Sequence, residues 1–276
     1  MFAERKLGLL LLAPALLFIA LGFLVPVGVL LSGAFHGESG WGFAQFLTFF
    51  DKPLHQEVFW RTFRIGLYVT AVTAILGYGV ALAIVNAKDS TKGKLIATLV
   101  LPLMISPVAR TYAWVVILGK TGIVNQFLDG SGIMETPARI LFTETAIFIG
   151  LVQLFFPLMV LPLISSLENL PRDVVPAARM LGANWLTIFW KVILPLSKEG
   201  LVMGGTLVFV GSLTAYVTPA ILGGSKVLMM ETLLYQRVTV ANDYAAAGVI
   251  AVILILMSIL TNFLLKRLAS ARKGAK

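Results

Sequence analysis

The chain has no cysteine among its 276 residues, so disulfides and thiolate metal sites are excluded. It has only two histidines, which is too few for a metal cluster of the usual kind. Charged residues make up 13% of the sequence, whereas a soluble domain carries about 25%. Hydrophobic residues make up 58%. This combination indicates a protein whose surface faces lipid.

Motifs for chemistry are also missing. The chain has no complete phosphate-binding loop of the form Gly-x-x-x-x-Gly-Lys-Ser/Thr, so we expect that it does not hydrolyse ATP itself. No nucleophile–base pair and no set of paired carboxylates stands out, which predicts that the chain is not an enzyme. The net charge is +9. Because the basic residues lie at the ends of apolar runs, membrane topology explains that charge, and no nucleic-acid partner is expected.

Six apolar runs are long enough to cross a bilayer, which requires about 20 apolar residues. The first run is too long for a signal peptide and is interpreted as a retained helix. We predict an all-α membrane protein with a single domain over residues 1–276 and an outer loop over residues 33–62. The predicted spans are Leu7–Ser32, Phe63–Asn86, Leu95–Leu118, Leu141–Ser165, Glu199–Leu222 and Ala245–Lys266.

Lysine and arginine are distributed unevenly between the two sets of loops. One set, which includes both termini and the loop over residues 171–198, holds 14 of them, and the other set holds seven. Positively charged loops stay in the cytoplasm. The bias therefore predicts that both termini and the 171–198 loop are cytoplasmic.

Prolines interrupt three of the runs: Pro102 and Pro107 the third, Pro157 and Pro162 the fourth, and Pro219 the fifth. Proline removes a backbone donor and kinks a helix, and the freed carbonyls need neighbours or a wet cavity. Several broken helices favour a transport pathway. The alternative is that proline and glycine are simply common in membrane helices.

The polar segment over residues 171–198 separates the fourth and fifth runs. Read as a helix, it places Leu181, Trp185, Ile188 and Val192 on one face at spacings of four, three and four. Gly182 disfavours a continuous helix, so we expect a bend between two short helices there. Two interpretations stay open: a surface on which a partner docks, and an amphipathic helix lying on lipid headgroups.

The segment also carries a recognisable pattern. Ala177-Ala178, three residues, Gly182, nine residues and Val192-Ile193-Leu194-Pro195 resemble the E-A-A-x3-G-x9-I-x-L-P signature of bacterial ABC-importer permeases. The chain departs from this signature at Pro176, which replaces the leading glutamate. The stretches Ser106–Trp114, Gly122–Asn125, Thr136–Thr143 and Thr214–Gly224 resemble the spermidine/putrescine-type subfamily.

The resemblance implies a permease in the bacterial inner membrane whose 171–198 loop forms a coupling helix. It implies a partner dimer of ATP-binding-cassette ATPases, which binds ATP and magnesium. No cofactor is expected in this chain itself. A periplasmic solute-binding protein and a second permease subunit would complete the assembly. For the permease pair, a heterodimer is the first choice and a homodimer the second. The residues assigned to ATPase coupling are Ala177, Ala178, Arg179, Leu181, Gly182, Ala183 and Trp185.

A second group of residues is predicted to line the pathway: Arg110, Tyr112, Gln153, Ser212 and Tyr216. An arginine within a span is costly unless it is paired or wet, so Arg110 either faces the pathway or pairs with a freed carbonyl or with Glu144. Ser212, Tyr216 and Pro219 share a helical face by spacing. They either line a cavity or form the interhelical hydrogen bonds usual in membranes.

The predicted function is import of a small polar organic solute from the periplasm to the cytoplasm, by alternating access driven by a separate ATPase. The solute is either polyamine-like or derived from an amino acid, as opines are. The main rival is a stand-alone secondary transporter or channel. That rival predicts internal inverted repeats and intramembrane acids, of which we find no clear example. A membrane enzyme or scaffold is the second rival, but neither a reactive constellation nor a large extramembrane domain is visible.

Overall fold

The computed structural model describes residues 2–37, 40–131, 137–171 and 173–270. Four basic residues that entered the topology prediction, Arg172, Arg272, Lys273 and Lys276, lie outside these ranges. The regular secondary structure of the described residues is helical apart from one antiparallel pair of two-residue strands, β1 (His36–Gly37) and β2 (Gly40–Trp41), which pairs His36 with Trp41.

Fifteen α-helices follow one another in the described part of the chain. The first seven are α1 Phe2–Ile19, α2 Val25–Gly33, α3 Ala44–Asp51, α4 Pro53–Val85, α5 Asp89–Met104, α6 Pro107–Leu118 and α7 Ile123–Gly130. The remainder are α8 Glu144–Glu168, α9 Val174–Met180, α10 Trp185–Ile188, α11 Leu194–Leu196, α12 Lys198–Leu213, α13 Val217–Leu222, α14 Met230–Thr239 and α15 Tyr244–Ser270. Two π-helical turns, Ala20–Leu24 and Phe189–Ile193, join α1 to α2 and α10 to α11.

Four helical segments are long and apolar enough to cross a membrane: Leu11–Gly33, Pro53–Val85, Glu144–Glu168 and Tyr244–Arg267. Two further helix pairs pass the same criterion together but are sharply bent, by 94° between Met104 and Pro107 and by 68° between Leu196 and Lys198. Each pair is either a broken span or a re-entrant loop. The described chain therefore has four to six candidate spans, and the six-span count stays a prediction.

The prolines act differently from the sequence prediction. The third run is interrupted as expected, but Pro102 lies inside α5 and Pro107 begins α6 after the break. A proline suits the first helical turn, where its missing N–H has no partner to lose. The fourth run is not interrupted, because Pro157 and Pro162 lie inside the continuous helix α8. The fifth run breaks between Leu213 and Val217, and Pro219 lies inside α13. The helix that contains the second predicted span is longer than that span, since α4 begins at Pro53 and includes the end of the predicted outer loop.

The chain divides into two compact units. The first consists of Met1–Glu57 and Leu233–Leu256, and the second of Val58–Thr232 and Met257–Lys276. In the first unit α15 packs closely on α2, because a Cβ atom added at Gly248 would lie 2.6 Å from the Leu30 carbonyl oxygen. The single-domain assignment of residues 1–276 stays a prediction.

Helices α8 and α12 form the centre of the second unit and run antiparallel. A Cβ atom added to Gly200 would lie 2.5 Å from the Pro162 carbonyl oxygen, and one added to Gly204 would lie 2.8 Å from Met159 Sδ. Small residues allow membrane helices to approach at this distance. The glycines of the fifth run therefore set the distance between α8 and α12.

Candidate functional site: the 171–198 loop and the broken helices

The 171–198 loop is an elbow of two short helices. Helix α9 ends at Met180, and α10 begins at Trp185. Gly182 between them has a φ of +78°, a left-handed conformation that glycine adopts readily. The Asn184 side chain caps α10 by accepting a hydrogen bond from the Thr187 N–H at 2.8 Å. The predicted bend at Gly182 is confirmed.

The predicted apolar face is wrong. Leu181 is 89% exposed, whereas Ile188 is 1% exposed, so the two side chains do not share a face. The reason is the bend, because a left-handed residue interrupts the helical period of 3.6 on which the prediction relied. Ile188 and Ile193 instead anchor the elbow in the core of the second unit.

Large apolar side chains remain exposed on the elbow. They are Met180, Leu181, Trp185, Leu186 and Trp190. We name this set the elbow surface. Contiguous exposed apolar side chains rimmed by polar residues are typical of sites for proteins or membranes. The elbow surface therefore fits both interpretations made from the sequence.

The small and basic residues assigned to coupling lie beside the elbow surface. Ala177, Arg179 and Gly182 are exposed, and Ala178 and Ala183 are partly buried. Among the residues that the structure describes, a Cβ atom added at Gly182 would meet no atom within 4 Å. This open space lets another protein approach the backbone of the elbow closely.

A joint between α4 and the elbow was not predicted from the sequence. The hydroxyls of Tyr78 and Ser197, both buried, form a hydrogen bond, and Ser197 Oγ also donates to the Ile193 carbonyl at 2.7 Å. The Tyr78 ring packs edge-on against Phe189 with centroids 5.2 Å apart. Ser197 lies at the 68° bend between α11 and α12, so its hydrogen bond to Tyr78 connects this bend to α4. The sequence feature that could have indicated this contact is Tyr78, a polar side chain within an apolar run that needs a hydrogen-bond partner when buried.

Arg110 lies on α6 and has unused donors. Its Nε and Nη1 atoms are buried, with no hydrogen-bond partner in the described residues. Glu144, which the sequence offered as a partner, instead accepts hydrogen bonds from Arg61 Nε at 2.9 Å and Arg64 Nη2 at 2.7 Å. The Glu144 alternative for Arg110 is therefore wrong. The pathway role of Arg110 stays a prediction.

Gln153 and Tyr112 lie in different surroundings. Gln153 Oε1 accepts a hydrogen bond from Trp114 Nε1 at 3.4 Å. Both side chains line an apolar pocket of about 430 Å³ that includes Pro102 and Pro157. Tyr112 on α6 is exposed. The structure therefore places Gln153 beside the proline of α8, as the sequence indicated.

Ser212 and Tyr216 do not share a helical face. Helix α12 ends at Leu213, and α13 begins at Val217. Ser212 is fully buried and its hydroxyl donates to the Val208 carbonyl at 2.7 Å, a bond within α12. Tyr216 lies at the break and lines a cleft of about 250 Å³ with Pro107 and Thr218. The break therefore separates a packed serine from a tyrosine that borders open space.

The Arg61–Glu144 pair predicts a stability difference between two glutamates. Arg61 is 9% exposed and also donates to the Leu228 carbonyl at 3.1 Å, so Glu144→Gln removes the charge facing a buried cation. Because Glu144 itself is 38% exposed, we expect a loss of about 2 kcal/mol. The control is Glu168→Gln, since Glu168 pairs with Lys92 nearer solvent and should cost under about 1 kcal/mol. Thermal unfolding in detergent measures both, and equal losses would contradict the ranking.

Long apolar helices, two sharply bent helix pairs and an exposed elbow together define a helical protein with four to six candidate membrane spans. Residues 79–274 match the family described as the inner membrane component of binding-protein-dependent transport systems. The chain belongs to this family. It is an ABC-importer permease of the inner membrane, and the predicted resemblance is confirmed.

Among curated proteins, the chain is 32% identical over 244 residues to the spermidine/putrescine transport system permease protein PotB of Haemophilus influenzae, covering 86% of this chain and 85% of that protein. It is 32% identical to PotB of Escherichia coli, covering 70% of each chain. It is 27% identical to a putative 2-aminoethylphosphonate transport system permease protein, PhnU, of Salmonella choleraesuis, covering 95% of this chain and 92% of that one.

Solved structures show the same fold. A chain of a bacterial alginate ABC transporter, in complex with an alginate pentasaccharide-bound periplasmic protein, matches with a TM-score of 0.76 and 16% identity over 99% of this chain and 97% of that one. A chain of the MetNI methionine ABC transporter, in an inward-facing conformation, matches with a TM-score of 0.57 and 17% identity over 77% of this chain and 93% of that one. At these identities the likeness concerns the fold alone.

Proposed function

We propose that this chain forms one half of the translocation pathway of an importer for small organic solutes that carry a primary amine. The relatives named above are permeases for spermidine and putrescine and, putatively, for 2-aminoethylphosphonate. These three solutes share a primary amine, and only 2-aminoethylphosphonate also carries an anionic group. Polyamines are the first choice because the greater identity is to the spermidine/putrescine permeases.

The elbow surface is the observation that supports energy coupling. It combines exposed apolar side chains with the unobstructed backbone at Gly182. The elbow that carries them is held in the core of the second unit by Ile188 and Ile193. In the proposal a separate ATPase, which holds ATP and magnesium, grips the elbow from the cytoplasm. Closure of the ATPase dimer then moves the elbow, and the Tyr78–Ser197 joint passes this movement to α4 and α12. Alternating access follows because α4 and α12 then have two positions, one with the ATPase dimer open and one with it closed.

The proposal includes six spans, cytoplasmic termini, a second permease subunit and a periplasmic solute-binding protein. The 14-to-seven distribution of basic residues supports the orientation. A single chain gives half a pathway, so a partner permease is needed, and a heterodimer is the first choice. Arg110 would repel a cationic solute, so we assign contact with the amine to other side chains and keep Arg110 as a gate.

Uptake by the reconstituted assembly tests the solute class. The assembly of this chain with its ATPase, partner permease and binding protein is placed in liposomes and offered labelled putrescine, spermidine, 2-aminoethylphosphonate and a neutral sugar. We expect ATP-dependent uptake of at least one amine and none of the sugar. Uptake of the sugar alone would contradict the proposed solute class but not the permease assignment. Uptake of an amine without ATP would favour the stand-alone transporter.

A further inference from the structure

A cleft of about 530 Å³ within the first unit has a positively charged lining. It is bounded by α3, the start of α4, Arg237 of α14 and the first turn of α15. Lys52 and Arg237 contribute two positive charges, and Asp243 contributes one negative charge. Asp243 Oδ1 already accepts a hydrogen bond from the Ala246 N–H at 3.0 Å, which caps α15. The cleft therefore has an excess of positive charge.

The Arg237 side chain is held in place with a donor unused. Its Nη2 donates to His55 Nε2 at 3.1 Å, and the other ring nitrogen of His55 donates to the Phe49 carbonyl at 3.0 Å. The His55 ring also stacks on Phe49 with centroids 4.4 Å apart. Arg237 Nε, in contrast, is buried and has no hydrogen-bond partner in the described residues. A buried charged donor without an acceptor is costly, so the cleft fits an anionic acceptor.

The cleft lies at the end of a candidate span. Its lining includes Asp243 and Ala245, and the apolar segment Tyr244–Arg267 begins at the same place. The ends of such a segment lie at the polar headgroup layer of the bilayer. Exposed Tyr235 and Tyr244 near these positions are typical of that layer. The positive end of the α15 dipole adds to the attraction for an anion.

We propose that this cleft binds the phosphate of a phospholipid headgroup from the surrounding bilayer. On binding, the Arg237 side chain shifts so that its Nε donates to a phosphate oxygen, and the Lys52 ammonium supplies a second charge-assisted contact. Arginine suits phosphate because its planar donors match the geometry of the oxyanion. The proposal rests on the membrane location of the chain and not on the solute or on the coupling to an ATPase.

Native mass spectrometry of the full chain in detergent, titrated with phosphatidylglycerol, tests the proposal. The wild type is expected to retain one tightly bound lipid. Arg237→Gln is expected to weaken retention about tenfold, as is usual for loss of one charge-assisted hydrogen bond, and Lys52→Gln less. Arg237→Lys, which keeps the charge, should retain part of the binding and guards against misfolding of the Gln variant. The control is Lys120→Gln, because Lys120 is an exposed cation outside the first unit.

Two further experiments test whether free phosphate or the solute-binding protein occupies the cleft in place of a lipid. Inorganic phosphate at the lipid concentration should not displace the lipid, because it lacks acyl chains. A purified solute-binding protein should bind wild type and Arg237→Gln equally in nanodiscs of the same phosphatidylglycerol content. Displacement by inorganic phosphate, unchanged lipid retention by Arg237→Gln, or loss of the binding protein with lipid retention unchanged would each overturn the proposal.

Discussion

Gly182→Trp is expected to abolish ATP-driven uptake while leaving the chain in the membrane. Gly182 has a φ of +78°, and a residue with a Cβ atom pays roughly 1–2 kcal/mol in that conformation. An added Cβ atom would meet none of the described part of the chain within 4 Å, so the indole would occupy the open space beside the elbow surface. If an ATPase docks there, the indole excludes it. A loss of docking free energy above about 1.4 kcal/mol should lower uptake by more than about tenfold.

The matched variant is Gly182→Asn, because asparagine tolerates the left-handed conformation better than other side chains. We expect it to retain much of the uptake, so that the loss with tryptophan reports bulk at the surface and not backbone strain. Two measurements accompany uptake: co-purification of the ATPase, and crosslinking of Ala183→Cys to it, which is clean because the chain has no other cysteine. Full coupling in Gly182→Trp would sink the docking model and leave the elbow as a lipid-bound helix.

The second large effect is expected in the packing of α8 against α12. A Cβ atom at Gly204 would lie 2.8 Å from Met159 Sδ and 2.9 Å from the Met159 carbonyl oxygen. The carbonyl belongs to the backbone of α8, so the two helices must move apart. Gly204→Ala is expected to cost about 2 to 3 kcal/mol, the upper part of the range of about 1–3 kcal/mol that is usual for overpacking. The melting temperature in detergent should fall by at least about 4 °C.

The adjacent glycine supplies the control. A Cβ atom at Gly205 would meet Thr70 Cγ2 at 3.7 Å and Leu265 Cδ1 at 3.9 Å, which are ordinary contacts. Gly205→Ala should therefore be neutral or stabilising, because alanine exceeds glycine in helix propensity by about 1 kcal/mol. Both substitutions add one methyl group to the same helix. Equal melting temperatures for the two variants would show that α8 and α12 do not pack as described.

The local features of the elbow could be predicted from the sequence. The pattern from Ala177 to Pro195 located the loop, and Gly182 predicted the bend, because backbone preference is a property of a residue and its neighbours. The prediction that Leu181 and Ile188 share a helical face was wrong because of the same bend. Face assignment assumes one helix axis, and the bend that glycine allows gives the two residues separate axes.

The long-range contacts could not be predicted. Glu144 pairs with Arg61 and Arg64, which lie 83 and 80 positions away, and Tyr78 bonds Ser197 across 119 positions. Spacing along the chain carries no information about which of several polar residues will meet. The same holds for the orphaned donors of Arg110 and Arg237, since a lack of partners becomes visible only when all neighbours are placed.

By itself the sequence determined that this is an apolar helical membrane protein, that its family is that of ABC-importer permeases, and where its exposed loop lies. The membrane class and the position of the loop follow from composition and local spacing, and the family follows from the resemblance of the loop to a known signature. None of the three needs knowledge of distant contacts. Only the tertiary structure decided which prolines break a helix, which glycines bring α8 and α12 together, and which arginines keep an unused donor. The physical reason is that packing distance and hydrogen-bond satisfaction are properties of pairs of segments, and such pairs form only when the chain folds.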